Sequence, residues 1–175
     1  MSNMSYIPNL FISVAYDSKN GIGKNNSIPW YLPEDLKYFS KLTKGNGNNA
    51  IIMGKNTWLS LPKKPLKGRD NLILSRSVEI NENLPKNDLI KTFKDFNNLM
   101  EFIKEQNYDA VWVIGGSEIY NLFLNKLKIE RIYATLIDKD YECDTFFPSI
   151  NKWTIVNQES TLKDNIKITY LTFEN

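Results

Sequence analysis

Apolar and polar positions alternate along the chain in a way that separates strands from helices. Residues 9–16 (NLFISVAY), 50–54 (AIIMG), 71–75 (NLILS), 110–114 (AVWVI) and 130–137 (ERIYATLI) are short apolar runs, as expected of strands buried on both faces. Between them, 33–43, 94–105 and 117–127 carry apolar residues at helical spacing, with a further helical turn near Thr57. Ser117 stands where an N-cap is expected. The loop at 62–70 is rich in Pro, Gly and Lys, and 77–93 predicts short edge structure. The end, KWTIVNQES and NIKITYLTF, alternates in period two around a turn near residues 163–165, which predicts an antiparallel hairpin. Together these elements predict a single α/β domain over 1–175. Its sheet is mixed, mostly parallel and eight-stranded, with an antiparallel C-terminal edge and about four flanking helices. Residues 1–8 read as an N-terminal extension.

One position breaks the pattern. On a helical wheel for 33–43, Leu36, Phe39 and Leu42 lie within about 80° of Leu32, while Glu34, Lys37 and Lys41 lie on the opposite side. Asp35 falls about 60° from Leu32, inside the apolar arc. Pro33 suits the first helical position, and an acidic first turn favours the helix dipole. Glu34 already supplies that charge from the polar side. A carboxylate on the apolar side adds a desolvation cost, so Asp35 is a candidate functional group.

Composition narrows the chemistry. The chain has no His and one Cys, so His-based triads, His proton shuttles and the usual zinc sites are excluded, and no metal is expected. A lone Cys143 also allows no internal disulfide. The net charge of +2 gives no case for nucleic acid. The N-terminus lacks a signal-peptide pattern, and no run approaches the ~18 apolar residues of a membrane span. These features predict a cytoplasmic monomer with no membrane partner. Arg occurs only at 69, 76 and 131. Arg is the better clamp for carboxylate and phosphate, which singles these positions out.

Three strands end in small, hydroxyl or basic residues: Gly54-Lys55, Ser75-Arg76 and Gly115-Gly116. In open α/β sheets, ligands sit beyond the carboxyl ends of strands, and glycines before a helix start allow close approach to a phosphate. Neither GxGxxG nor a P-loop sequence is present. GIGKNNSIPW (21–30) reads as a flexible loop able to act as a lid.

Six segments in order carry a family resemblance: VAYDSKNGIGKNNSIPWYLPEDLKYF, IIMGKNTW, PLKGRDNLILSR, VIGGSEIY, IYATLID and DTFFP. The chain resembles bacterial-type dihydrofolate reductases. The resemblance implies NADPH-dependent reduction of 7,8-dihydrofolate to tetrahydrofolate in one-carbon metabolism, and binding of antifolates such as trimethoprim and methotrexate. It implies a pterin pocket with Asp35, Trp30 and Thr135 as catalytic residues. Ser13, Val14, Ala15, Leu36, Phe39, Leu61 and Ile114 would line it, and Arg69 would clamp the substrate's glutamate. For the cofactor it implies Ala15, Ile22, Gly23, Asn26 and Ser27 near the nicotinamide. Gly54, Lys55, Asn56, Thr57, Leu74, Ser75 and Arg76 follow along the sheet, with Ile114, Gly115, Gly116, Ser117, Glu118, Ile119 and Tyr120. Gly115-Gly116 resembles the family's cis Gly-Gly peptide. Ser13 replaces the usual aliphatic residue, which suggests an antifolate-insensitive form. Glu118 and Cys143 also depart from the family pattern. A pyrimidine reductase of riboflavin synthesis and a non-catalytic nucleotide-binding module are the alternative readings.

Overall fold

The computed structural model describes residues 8–77, 80, 84 and 87–175. The N-terminal extension, apart from Pro8, and parts of 77–93 lie outside the described residues. The strands are β1 (Asn9–Asp17), β2 (Gly21–Gly23), β3 (Asn49–Gly54), β4 (Asp70–Leu74), β5 (Ile90–Phe93), β6 (Ala110–Val113), β7 (Arg131–Ile137), β8 (Thr145–Phe146), β9 (Thr154–Lys163) and β10 (Ile166–Glu174). Among the described residues the helices are α1 (Pro33–Lys44), α2 (Lys55–Ser60), α3 (Phe96–Glu105) and α4 (Ser117–Lys126).

Eight strands form one sheet in the order β5-β4-β3-β6-β1-β7-β10-β9, and β2 pairs with β8 apart from it. Pairings from β5 across to β7 are parallel; β10 is antiparallel to both β7 and β9. This is the mixed sheet with an antiparallel edge that the patterning predicts. The run 77–93 contributes β5, at the far edge. Asp164 and Asn165, both at positive φ, make the two-residue turn of the β9–β10 hairpin, as right-handed strand twist favours.

Strand alternation divides the core into two layers. Leu10, Ile12, Val14 and Tyr16 of β1 pack on one face with Leu99 and Ile103 of α3 and Ile119 and Phe123 of α4. The other face carries Ile51, Met53, Ile73 and Trp112 with Trp58 of α2. Phe11, Tyr133 and Leu42 border that second layer. Ser13, Ala15 and Thr135 therefore share the α1 side of the sheet. Phe11, Trp112 and Tyr133 stack one pleat before them, with ring centroids 4.8–6.0 Å apart.

Helix ends follow local chemistry. Asp95 caps α3, its Oδ1 accepting from Asn98 N at 2.8 Å and its Oδ2 from Asn98 Nδ2 at 3.0 Å. Ser117 is not the cap of α4. It is the first helical residue, and Gly116 occupies the N-cap with no side-chain bond to the helix. Asp95→Ala removes a cap on a surface helix, so urea unfolding is expected to show a loss of about 1 kcal/mol.

Candidate active site

α1 lies across the sheet with an unusual attachment. Thr43 is its one fully buried residue, and Leu36, at 52% exposed, faces open space. Phe39 is half-buried. Polar bonds hold the helix at both ends. In its first turn Asp35 Oδ1 accepts from Thr135 Oγ1 at 2.7 Å. Thr135 is buried on β7, opposite Ala15 of β1 and Tyr170 of β10. Burial pushes the Asp35 pKa up, and the Thr135 hydroxyl bond offsets part of that rise. The Tyr38 ring meets Tyr170 edge-on at 5.0 Å beside the carboxylate.

At the last turn Thr43 Oγ1 donates to Phe39 O at 2.8 Å and accepts from Arg69 Nη1 at 3.0 Å. Asn49 Nδ2 donates to Thr43 O at 2.9 Å. Arg69 is 4% exposed, and its Nε and Nη2 both donate to Lys67 O, at 2.9 and 2.7 Å. Burial lowers its pKa. Three of the five guanidinium N–H donors are thus used. The other two make no hydrogen bond, and no carboxylate lies within ion-pair distance, among the described residues. Buried Asn71 fixes this loop, accepting from Leu66 N and donating to Leu66 O and Arg69 O, each at 2.9 Å. The lysines at 63, 64 and 67 are exposed, as a solvated loop would have them, while Arg69 is not.

Asp35 and Thr43 are eight residues apart, so the two polar ends of α1 are separated by about 12 Å along its axis. Between them run Leu36 and Phe39, with Leu61 and Ile114 partly buried at the margin of the second core layer. Val14 points to the other face, into the α4 core, so only its backbone reaches this side.

A second group of residues gathers at the carboxyl ends of β4, β3 and β6, which are neighbours in the sheet. Gly54 N donates to Gly115 O at 2.9 Å, and the Gly115–Gly116 peptide is cis. A Cβ on Gly54 would come within 3.1 Å of Ile119 Cγ1, and one on Gly116 would sit 3.7 Å from Thr57 Oγ1. Gly54 pairs with Leu74, so Lys55 and Ser75-Arg76 leave adjacent strands side by side. Arg76 and Glu118 are exposed, and so is Asn56. Ile119 and Tyr120 belong to the core instead, and the Tyr120 hydroxyl donates to Ser13 O at 2.9 Å. Ser117 and Glu118 keep their backbone N–H groups at an uncapped helix start. Glycines, free N–H groups and two cations at three adjacent strand ends suit a dinucleotide pyrophosphate.

The loop after β1 is more ordered than its composition predicts. Gly21–Gly23 pairs with Thr145–Phe146, and Lys24 and Ser27 close a tight turn over Asn25 and Asn26, both at positive φ. Asn25 N donates to Asp144 Oδ2 at 2.9 Å. Ile22 and Gly23 are half-buried, while Asn26 and Ser27 are exposed. Trp30 packs on Tyr141, with centroids 5.2 Å apart. Pattern reading missed Asn71, Thr43, Tyr141 and Asp17. Thr43 lies inside the apolar arc of the α1 wheel, and Asp17 ends an apolar strand. Both carry the kind of signal that drew attention to Asp35.

Comparison with known proteins agrees with this arrangement. The sequence model described as dihydrofolate reductase matches residues 9–175. A dihydrofolate reductase of Heliothis virescens is 36% identical over 157 residues, covering 85% of this chain and 83% of that protein. One of Sus scrofa is 35% identical over 164 residues, covering 88% of each. A viral dihydrofolate reductase of Saimiriine herpesvirus 2 (strain 488) is 40% identical over 147 residues, covering 79% of this chain and 68% of that protein. These relatives are eukaryotic or viral and do not bear on the bacterial-type part of the resemblance. A match over nearly the whole chain, onto a fold with this site, shows that the chain belongs to the dihydrofolate reductase family.

Proposed function

We propose that this chain reduces 7,8-dihydrofolate to 5,6,7,8-tetrahydrofolate with NADPH, as one domain over 1–175 that includes a short N-terminal extension at 1–8. One observation carries the reading: α1 has a carboxylate at one end, an unsatisfied guanidinium at the other and apolar side chains between. That suits an elongated ligand with a hydrogen-bonding ring at one end and a carboxylate about 12 Å away. Asp35, with Thr135, takes the pterin's amino and N3 side, beside Ser13, Ala15, Trp30 and the Val14 backbone. Leu36, Phe39, Leu61 and Ile114 cover its middle. Arg69 clamps the α-carboxylate of the glutamate, a two-pronged task that Lys does less well.

Bound NADPH supplies a hydride from its nicotinamide C4 to C6 of the pterin. The chain holds the two rings together and excludes water. Gly54, Thr57, Gly115, Gly116 and the N–H groups that open α4 receive the pyrophosphate, and Lys55 and Arg76 receive the 2′-phosphate. Ile22 and the loop 17–32 cover the nicotinamide. N5 must also gain a proton. Asp35 grips the far side of the ring, so its charge raises the basicity of N5 and a water molecule delivers the proton. The enzyme acts as a cytoplasmic monomer without nucleic-acid or membrane partners.

The deciding assay is loss of NADPH absorbance with dihydrofolate, repeated with trimethoprim because of Ser13. No turnover would refute the reading. Turnover of a pyrimidine substrate instead would identify the riboflavin-type reductase, and cofactor binding without turnover would identify a binding module. Inhibition at ordinary low trimethoprim concentrations would dismiss an antifolate-insensitive form.

Asp35→Asn is expected to slow turnover by about 10²–10⁴-fold, the usual span for acid–base roles. Its effect on stability has the opposite sense. The folded Asp35 pKa is raised, so this carboxyl favours folding below its unfolded value of about 3.9 and loses that contribution as pH climbs through the folded value. At pH 7 the ionised group is a cost to folding. Thermal melts should therefore show Asp35→Asn as stable as the parent or more so. Single-turnover hydride transfer is expected to slow as pH rises, and a profile flat into the alkaline range would argue against proton-limited chemistry.

A further inference from the structure

Asp17 is the last residue of β1, fully buried, and has no assigned part in the reaction. Its Oδ1 accepts from Lys19 N at 2.9 Å and Gly21 N at 2.7 Å, and its Oδ2 from Tyr141 N at 2.9 Å. The neighbouring Cys143 thiol also favours its ionised form. Burial alone would raise the Asp17 pKa, but these donors outweigh it and hold the carboxyl below the usual range. Burial and the same carboxylate push the Cys143 thiol up to about 11, so it stays neutral. No Lys or Arg lies within ion-pair distance of Asp17 among the described residues. A buried charge without a cation is expensive, and only convergent donors make it tolerable.

Those groups come from two separate segments. Lys19 and Gly21 begin the loop proposed to cover the nicotinamide, while Tyr141 and Cys143 lie in the connection from β7 to β8. The space is fully used, because a Cβ on Gly21 would fall 2.5 Å from Cys143 Cβ and 2.8 Å from Asp17 Oδ1. The Tyr141 ring packs on Trp30, and Lys139 Nζ lies over the Tyr141 ring, 5.0 Å from its centroid. Trp30 in turn leads through Leu32, the N-cap of α1, into the turn that holds Asp35. A neutral Asn of the same length offers one acceptor oxygen and one NH2 donor. It can serve the loop or Tyr141, not both.

We propose that Asp17 is a positioning residue for the reaction, seating Tyr141 against Trp30 and so fixing the covering loop relative to Asp35. The proposal rests on the reductase reading above. Its test uses the full chain labelled with 5-fluorotryptophan, whose resonances report Trp30, Trp58, Trp112 and Trp153 separately. Trp30→Phe assigns the Trp30 signal. Asp17→Asn is expected to shift or broaden that signal and leave the other three in place. In the folded variant kcat should fall about tenfold or more while KM for dihydrofolate stays within about twofold. Should Asp17→Asn fail to fold, Tyr141→Ala leaves the carboxylate bonds intact and removes only the ring, and it should give the same two changes. An unmoved Trp30 signal with normal kcat would overturn the proposal. So would a lowered melting temperature with all four signals displaced alike. The Trp30 signal is read without substrate, so a parent enzyme inactive on dihydrofolate would sink the reductase reading and leave this contact still measurable.

Discussion

α1 is strapped to the sheet by polar bonds at its two ends rather than by a buried apolar face. Asp35 meets Thr135 at one end, and Thr43 meets Arg69 at the other, with Asn49 behind it. An amphipathic helix ordinarily docks by burying its apolar stripe. Here the stripe is left partly open above the sheet, where the proposed substrate would cover it. Both straps use groups that cost free energy to bury. The Asp35 carboxyl responds with a raised pKa, and Arg69 keeps two donors unsatisfied. The site's readiness for an anion and for a hydrogen-bonding ring is therefore also what attaches its wall.

The sheet supports this arrangement through order alone. β1 lies between β6 and β7, so Ser13 and Ala15 sit beside Thr135 on one side and near the glycines after β6 on the other. In the proposed reading, the substrate and cofactor rings would meet over the middle of β1. Parallel strands place their carboxyl ends together, which is why the cofactor-side residues converge although they are scattered over more than sixty positions of sequence.

Much of this was readable from the chain. Continuous apolar runs gave away the parallel strands, and alternation gave the closing hairpin, because each reflects how many faces a strand buries. Asp35 stood out because a carboxylate inside an apolar arc has a cost that only a partner or a ligand offsets. Pattern reading failed where the determinant was a bond between distant segments. Asp17 bonds Tyr141 across 124 positions, and neither residue marks itself as the other's partner. Ser117 failed as a cap for a different reason: Gly116 already took the non-helical position, so the hydroxyl began the helix instead. The local structure within 21–30 was not legible because an Asn-rich stretch marks a loop without marking its turn. In the fold Asn25 and Asn26 supply the positive φ of a tight turn.

The central position of β1 has a consequence in time. This strand is made before both of its sheet neighbours, Ala110–Val113 and Arg131–Ile137. About 120 residues must follow Asp17 before its last ladder partner exists, which at ribosomal speeds is roughly 6–24 s. Until Ala110–Val113 is made the strand has no sheet neighbour, and until Arg131–Ile137 follows it is paired on one side only. The nascent chain therefore carries an incompletely paired apolar strand over that interval, a state exposed to aggregation.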